Sequence, residues 1–410
     1  PVAKKMKPAD SNEEKGICDC HPDQSQPDVL LIGNYSPDQQ HSMNRFLQWL
    51  DSGLSERGIK VEVWRPDILM ALHCKIQRSG MGKWLGYCDK FLIFPMRLKH
   101  RLRNPRLSNA IIHVVDHSNA GYMAVLPPER SLITCHDVLA IRGALGDPSA
   151  WAKPSATGRL LQHWIRSHLL RSHHIVCVSE TTRKDLLRLP GKRPACQRIR
   201  VIPNGIDPVF SPSIPDKESS IELPKELQDN RFLLHVGTSH PRKNRSILIP
   251  AFDAIANDYP DLRMVFAGEA FNRNEQYRIQ SLSSADRFIH MGRVSDAQLS
   301  ALYRHATGLL FPSLSEGFGW PILEAQSSRC PVACSNLSSL PEVAGEGACL
   351  FQPSSVASIS QAMRCLIDPH QRKTLIEAGS ANCKRFAPEQ TIDAYIRFYS
   401  DLRIRPDRCF

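Results

Sequence analysis

The chain has 410 residues, more than one hydrophobic core ordinarily serves, so two domains are the default expectation. Its 42% hydrophobic and 23% charged residues belong to an ordinary globular protein, and no apolar run approaches the roughly 18 residues of a membrane span. The net charge of +11 falls in the first half: residues 1–210 hold 30 Lys and Arg against 19 Asp and Glu, while residues 211–410 hold 22 of each. Basic runs at 96–106 and 183–200 suit an anionic lipid surface, nucleic acid or an anionic substrate, set against a plain solvated face. Thirteen scattered cysteines without a secretory signal point to reduced thiols in the cytosol. The one cluster, Cys18-Asp19-Cys20-His21, has no matching pair nearby, so no metal is expected.

Residues 1–27 mix Pro, Asp, Glu, Gln, Ser and Lys and read as a mobile tail. DVLLIG (28–33) is a buried strand by composition, followed by a helix with Met43, Phe46, Leu47, Leu50 and Leu54 on one face. Further strands are predicted at 60–64, 110–115, 131–135 and 174–179, with helices near 157–171 and 180–189; residues 66–106 carry no clear period. The five prolines of 203–224 break the pattern. Strands then resume at 231–237, 262–268, 309–312, 331–335 and 348–351, separated by helices. The alternation predicts two α/β domains with parallel sheets, 28–207 and 208–388, and a last helix in 389–410 that packs back on the first.

No Walker A loop is present, and Gly33-Asn34 ends the first strand without a G-x-G-x-x-G fingerprint. No D-x-D pair exists to hold a divalent metal against a diphosphate, which leaves cationic side chains and helix N-termini for that task. In VGTSHPRKN (236–244) the strand ends at Gly237, and Arg242-Lys243 open a helix. Adjacent cations there oppose the helix dipole unless an anion sits between them. In SEGFGWPILEA (315–325), Gly317 and Gly319 around Phe318 let backbone N–H groups approach a ligand. Glu316 and Glu324, on the order of 12 Å apart, are too distant for paired acid–base work but suit gripping the two ends of a ligand with a central diphosphate.

The Glu316-x7-Glu324 spacing resembles the E-x7-E motif of retaining GT-B glycosyltransferases, family 4 in particular. The G-x-x-x-x-R-K-N loop at 237–244, P-N-G-I-D at 203–207, V-S-E-x-T-R at 178–183 and L-P-E-V-A-G at 340–345 are similar to that family too. The resemblance implies a GT-B fold, two Rossmann-like domains facing across a cleft, and transfer of a hexose from a nucleotide-diphosphate sugar to a glycan or lipid-linked acceptor. It implies no cofactor, front-face departure with retained configuration and no nucleic-acid partner, while the scattered thiols and the basic first half lead to the expectation of a cytoplasmic protein at the inner face of the membrane. By the same resemblance Glu324 binds ribose, Glu316 a sugar hydroxyl, Arg242 and Lys243 the diphosphate, and Gly292-Arg293-Val294 borders the base. His136, at the carboxyl end of a strand, contacts the donor sugar from the first domain by the same resemblance; Asp116 and His117, which end the previous strand, and Asp137, otherwise a helix cap, are acceptor-side candidates by position. The family's glycine pair after the first strand is reduced here to Gly33. The competing readings are a GT-B phosphorylase or epimerase and a catalytically silent basic module binding RNA or membrane.

Overall fold

The structure, a computed structural model, describes residues 26–72, 80–152, 154–211, 223–228 and 230–404. The Cys18, Cys20 and His21 cluster, most of the 1–27 tail and part of the proline-rich break lie outside them. Two six-stranded parallel sheets carry the fold. The first contains β1 (Val29–Ile32), β2 (Val61–Trp64), β3 (Ile111–Val114), β4 (Ser131–Cys135), β5 (His174–Cys177) and β6 (Arg198–Val201), in the order β2-β1-β3-β4-β5-β6. The second contains β7 (Arg231–Gly237), β8 (Leu262–Gly268), β9 (Phe288–Gly292), β10 (Gly308–Phe311), β11 (Val332–Ser335) and β12 (Ala348–Phe351). Its order, β12-β11-β10-β7-β8-β9, reverses direction between β7 and β10; the first sheet reverses between β1 and β3. Ligands of such sheets sit at the carboxyl ends of the strands beside the reversal.

Strands β1, β3, β4 and β5 are buried on both faces, which is why they read as unbroken apolar runs. Two strands carry no such signal. β6 is the edge strand Arg-Ile-Arg-Val, half-exposed and hidden in the basic run 183–200, whose other part is the helix Glu180–Arg188. β9 is half-buried along its length and contains a histidine. Residues 80–101, which show no clear period, form one continuous helix: Gly80–Cys88, a π-turn at Asp89–Ile93, and Phe94–Arg101. The π-turn adds a residue to the repeat and blurs the spacing.

The last helix, Pro388–Ile404, leaves the second domain and covers one face of the first sheet. Its Ile392, Tyr395, Phe398, Tyr399 and Leu402 pack with Val29, Leu31, Ile111, Leu132 and Phe46. Full burial of each such side chain is worth about 1.5–3 kcal/mol, so this one helix ties the two domains together strongly. Beneath it, buried His113 bridges Tyr399 Oη at 2.8 Å and Thr134 Oγ1 at 2.7 Å. Eight cysteines among the described residues are free thiols, but Cys196 is disulfide-bonded, so the expectation of uniformly reduced thiols does not hold there.

Candidate active site

The loops after β7 and β10 flank the reversal point of the second sheet, and both project into the cleft. After β7 the chain makes a short 3-10 turn, Pro241–Lys243, not the start of an α-helix. Asn244 follows with φ 52°, and its side chain donates to the carbonyls of Pro312 and Pro353, pinning the turn to the loops after β10 and β12. After β10 the loop 312–319 is held from below by two serines. Ser338 Oγ donates to Glu316 O at 2.6 Å, and Ser339 Oγ donates to Phe318 O at 2.7 Å. Gly319, at φ 117°, then turns the chain into the helix Trp320–Ser327.

These two loops bring Arg242, Lys243 and Glu316 into one cluster. Arg242 Nη1 donates to Glu316 Oε2 at 2.5 Å, and Lys243 Nζ donates to Glu316 Oε1 at 2.6 Å. Burial works to raise the Glu316 pKa, but Lys243 and Arg242 outweigh it and hold the carboxylate below its ordinary range. The anion that answers the paired cations is therefore a residue of the chain itself. One carboxylate balances only one of two cations, however, and the three groups together keep a net charge of +1 in a half-buried cleft.

Facing this cluster from the first sheet is His136, at the end of β4. Its Nε2–H donates to Val115 O at 2.8 Å, which fixes the tautomer and leaves Nδ1 as an acceptor. Burial keeps its pKa low despite the nearby Asp116, so the ring is neutral. Phe46 supports it edge-on, with centroids 4.9 Å apart. His136, Asp137, Arg242, Lys243, Glu316 and the 317–319 backbone line one cavity of about 180 Å³, together with Ser42, Met43, Asn204 and Trp320. Asn204 Oδ1 and Trp320 Nε1 are buried there without a hydrogen-bond partner, and buried polar atoms ordinarily have one. The domains meet closely at this point: a Cβ on Gly317 would lie 1.9 Å from His136 O. Ser179 Oγ and Thr182 Oγ1 of the first domain both donate to Gly317 O.

Other candidate residues stand elsewhere. Glu324 is 4% exposed and absent from the lining of that cavity. Its oxygens accept from Arg45 at 2.7 Å and Tyr303 at 3.1 Å, and burial raises its pKa in spite of Arg45. Arg45 reaches across from the helix His41–Glu56, also pairs with Asp207 at 3.1 Å, and lies over the rings of Trp320 and Phe210. Nothing in the sequence marks Arg45, because the contact spans 279 residues. Asp116 accepts from Asn34, from the Ser118 backbone and from the Ser118 hydroxyl, capping the turn His117–Ala124. Burial works against its charge, yet His117 and the two hydrogen bonds from Ser118 oppose that, and its pKa lies below the ordinary carboxylate range. Its acceptor capacity is thus consumed inside its own domain. Asp137 caps the backbone N–H of Leu139. Gly33 faces Leu47 and Arg65, a packing position where a Cβ would meet Leu47 at 2.7 Å. Gly237 closes β7 so tightly on Gly268 that a Cβ there would strike its carbonyl at 2.0 Å. Gly292, at φ 67°, opens the turn carrying Arg293 and Val294. Among the described residues no group of three His, Cys, Asp or Glu is placed to hold a metal.

The family model described as "Glycosyl transferases group 1" matches residues 216–381, and that for "Glycosyltransferase Family 4" matches residues 43–210. The two models together span most of the chain, and both describe glycosyltransferases. Among its relatives is O-antigen chain mannosyltransferase B of Escherichia coli, 29% identical over 331 residues, which cover 77% of this chain and 84% of that one. A D-inositol 3-phosphate glycosyltransferase of Kineococcus radiotolerans is 27% identical, covering 88% of this chain and 91% of its own. A serotype-specific mannosyltransferase of Escherichia coli is 26% identical over 71% of this chain but only 37% of its own length. Among solved structures, sucrose-phosphate synthase from Thermosynechococcus elongatus superposes with a TM-score of 0.71 at 19% identity, covering 92% of this chain and 99% of that one. A glycosyltransferase in lipopolysaccharide biosynthesis gives 0.64 at 15% identity, covering 89% and 99%. The fold is GT-B, and the cavity lined by His136, Arg242, Lys243 and Glu316 lies between its two sheets.

Proposed function

We propose that this glycosyltransferase moves a hexose, of mannose type, from a nucleotide-diphosphate sugar to a glycan or lipid-linked acceptor, retaining the anomeric configuration and using no divalent metal. The observation that carries the reading is the net positive cluster Arg242–Lys243–Glu316 at the sheet reversal, opposite a neutral His136. An arriving diphosphate competes with Glu316 for the two cations. Once displaced, the Glu316 carboxylate is free to accept from a hydroxyl of the donor sugar. Charge grows on the leaving diphosphate as the glycosidic bond breaks, and Arg242 with Lys243 are already placed to meet it. His136 presents only an acceptor nitrogen to the cleft, so it positions the sugar and supplies no proton. The closed contact of Gly317 with Ser179 and Thr182 excludes water during the step. Ribose binding by Glu324 requires Arg45 to give way or to share the carboxylate. Beside His240 and Pro241 a cavity of about 1100 Å³ opens, with Trp151 and Arg159 of the first domain on its far wall, where the acceptor sugar fits best.

Mannose is favoured over glucose by the mannosyltransferase relatives, whose names alone carry that preference. Thermal unfolding against GDP-mannose, UDP-glucose, UDP-N-acetylglucosamine and ADP-glucose tests the donor. A saturating ligand at about 100 times its Kd adds about 2.7 kcal/mol of stability. Selective stabilisation by GDP-mannose, with turnover that survives EDTA and an α-linked product from an α-donor, is the expected result. Stabilisation by another sugar nucleotide alone, an inverted product, or turnover restored only by Mn²⁺ would refute the corresponding part.

A further inference from the structure

Seven of the fifteen large apolar side chains exposed among the described residues fall between positions 69 and 96. Four of them, Met81 (74% exposed), Trp84 (56%), Leu92 (62%) and Met96 (74%), lie on the outward side of the single helix 80–101. They recur at helical spacing, with half-exposed Cys88 between Trp84 and Leu92. The inward side is occupied: Gly82, Gly86, Asp89, Lys90, Phe94 and Leu98 are buried. The helix thus offers solvent the apolar stripe that a surface helix ordinarily turns inward. Beside it, Leu69, Met70 and Leu72 are exposed on a loop whose backbone is fixed to the helix's midpoint. The Asp89 carboxylate accepts from the N–H groups of Leu69, Met70 and Ala71 at 2.8–3.2 Å. The patch is therefore held in a defined shape.

The charge around this stripe is one-sided. Residues 80–104 contain six Lys and Arg against one acid, Asp89, which is buried. Lys99, His100 and Arg103 stand exposed at the end nearest Met96. Arg97 pairs with Asp67, and Arg101 lies over the Trp64 ring. An apolar stripe with a tryptophan, edged by cations and with the exposed Asp67 neutralised by Arg97, has the composition of a helix that lies in the headgroup layer of an anionic membrane.

We propose that the outward face of helix 80–101 docks on an anionic lipid surface, with Met81, Trp84, Leu92 and Met96 entering the acyl boundary and Lys99 and Arg103 meeting the headgroups. The inference rests on this surface alone and not on what the cleft catalyses. Its consequence for the acceptor is spatial. The opposite side of the same helix, through Lys83, Tyr87 and Lys90, lines a polar cavity of about 440 Å³ shared with Asp38 and Ser118, so a docked protein holds that cavity close to the membrane.

Co-sedimentation of the full chain with vesicles of phosphatidylcholine containing about a third phosphatidylglycerol tests the proposal. The wild type pellets with these vesicles, far less with pure phosphatidylcholine, and less as NaCl rises. Trp84→Ser combined with Met96→Ser weakens the association about tenfold or more, since each removes apolar area that the membrane buries. Lys99→Gln and Arg103→Gln weaken it about fivefold each at low salt. Tyr277→Ser, at a 76% exposed position in the second domain, changes nothing. Unaltered melting temperature and nucleotide-sugar binding in every variant show that the fold is intact. Failure of the wild type to pellet, equal binding to neutral and anionic vesicles, or wild-type binding by Trp84→Ser/Met96→Ser each overturns the proposal. So does a wild-type dimer that this double variant dissociates while vesicles are ignored, which would assign the face to a second copy.

Discussion

The two sheets reverse direction at equivalent points, yet those points are used differently. Beside β7 and β10 the polar groups are charged, partly exposed and balanced to a net +1 across Arg242, Lys243 and Glu316. Beside β1 and β3 the corresponding space is closed by neutral and acidic groups bonded to each other. Asn34 donates to Asp116 at 2.7 Å, Asn119 donates to Asn34 at 2.8 Å, and Ser118 completes the knot. One switch point is left poised for an anion, while the other is spent on holding its own loops. The first domain instead offers the cleft His136, one strand further along, and offers solvent its basic helix.

The largest effect that tests this contrast is on turnover. Arg242→Ala and Lys243→Ala each remove a preorganised partner of a developing charge, typically worth about 3–4 kcal/mol, or roughly 10²–10³ in kcat, with little loss of fold stability. Glu316→Ala damages transfer comparably but tightens binding of the free nucleotide diphosphate, because it releases both cations. At the other switch point the pattern inverts: Asp116→Ala strips buried donors of their acceptor and costs about 1–3 kcal/mol of stability, while nucleotide binding is kept. Calorimetry with the free nucleotide, beside kcat and thermal unfolding for the four variants, checks all of these. Nucleotide binding lost in Asp116→Ala and kept in Arg242→Ala would reverse the assignment of the two domains.

A second contrast is in acid sensitivity. Burial depresses His113 to about 3 and His174 to about 4 in the first domain, and His235 to about 4 in the second. The unfolded chain takes up these protons below about pH 6.5, whereas the folded chain refuses them until pH 4 or lower. Stability is therefore full above pH 6.5 and falls as pH drops through the window between 6.5 and 4. By pH 5 each of these three groups costs about 2 kcal/mol, and His136, also lowered by burial, adds to the first sheet's share, so the first sheet loses more than the second. Hydrogen exchange at pH 7.5 and pH 5 reads the two sheets separately. Equal loss of protection in both would show that some other group governs the acid response.

What could be read from the sequence follows the same division. The second domain's site is built from two short motifs at the ends of apolar strands, so Arg242-Lys243 and Glu316 declared themselves by local spacing and charge, although the contact between them spans more than 70 residues. Both domains' buried strands were legible because burial on two faces needs unbroken apolar runs. The half-exposed strands β6 and β9 have no such requirement, and neither does the helix whose π-turn disturbs its repeat. Arg45, Tyr303, Ser338 and Ser339 escaped for a different reason. Each acts through polar contacts with residues 21 or more positions away in the chain, and no local period records such contacts. The cations of 242–243 also carried a misleading inference: they end a 3-10 turn and do not open an α-helix, and the anion they meet is Glu316.

The smallest effect concerns the seam between the domains, where the second domain completes a helix of the first. The helix Glu180–Arg188 is capped by its own Ser179, which accepts from Thr182 N at 3.0 Å. A second cap comes from Glu342 of the helix Leu340–Ala344. Its carboxylate accepts from the backbone N–H of Glu180 at 2.7 Å and of Thr181 at 3.1 Å, and from the Thr181 hydroxyl at 3.2 Å. Free N–H groups and the positive end of the helix dipole make this a favourable place for a carboxylate, worth about 1 kcal/mol. Because donor and acceptor belong to different domains, that energy is present only when the cleft is closed. Glu342→Ala should therefore shift the equilibrium toward the open form by about fivefold, raising KM for the donor by a similar factor and increasing the radius of gyration in solution scattering. Glu342→Gln, whose amide oxygen still accepts, should recover part of the loss. Ser179→Ala removes the cap within the first domain, and also a bond to Gly317, so it should lower the melting temperature more than Glu342→Ala does. A Glu342→Ala protein with a lower melting temperature but unchanged scattering and KM would reduce the contact to an ordinary helix cap, with no part in closing the cleft.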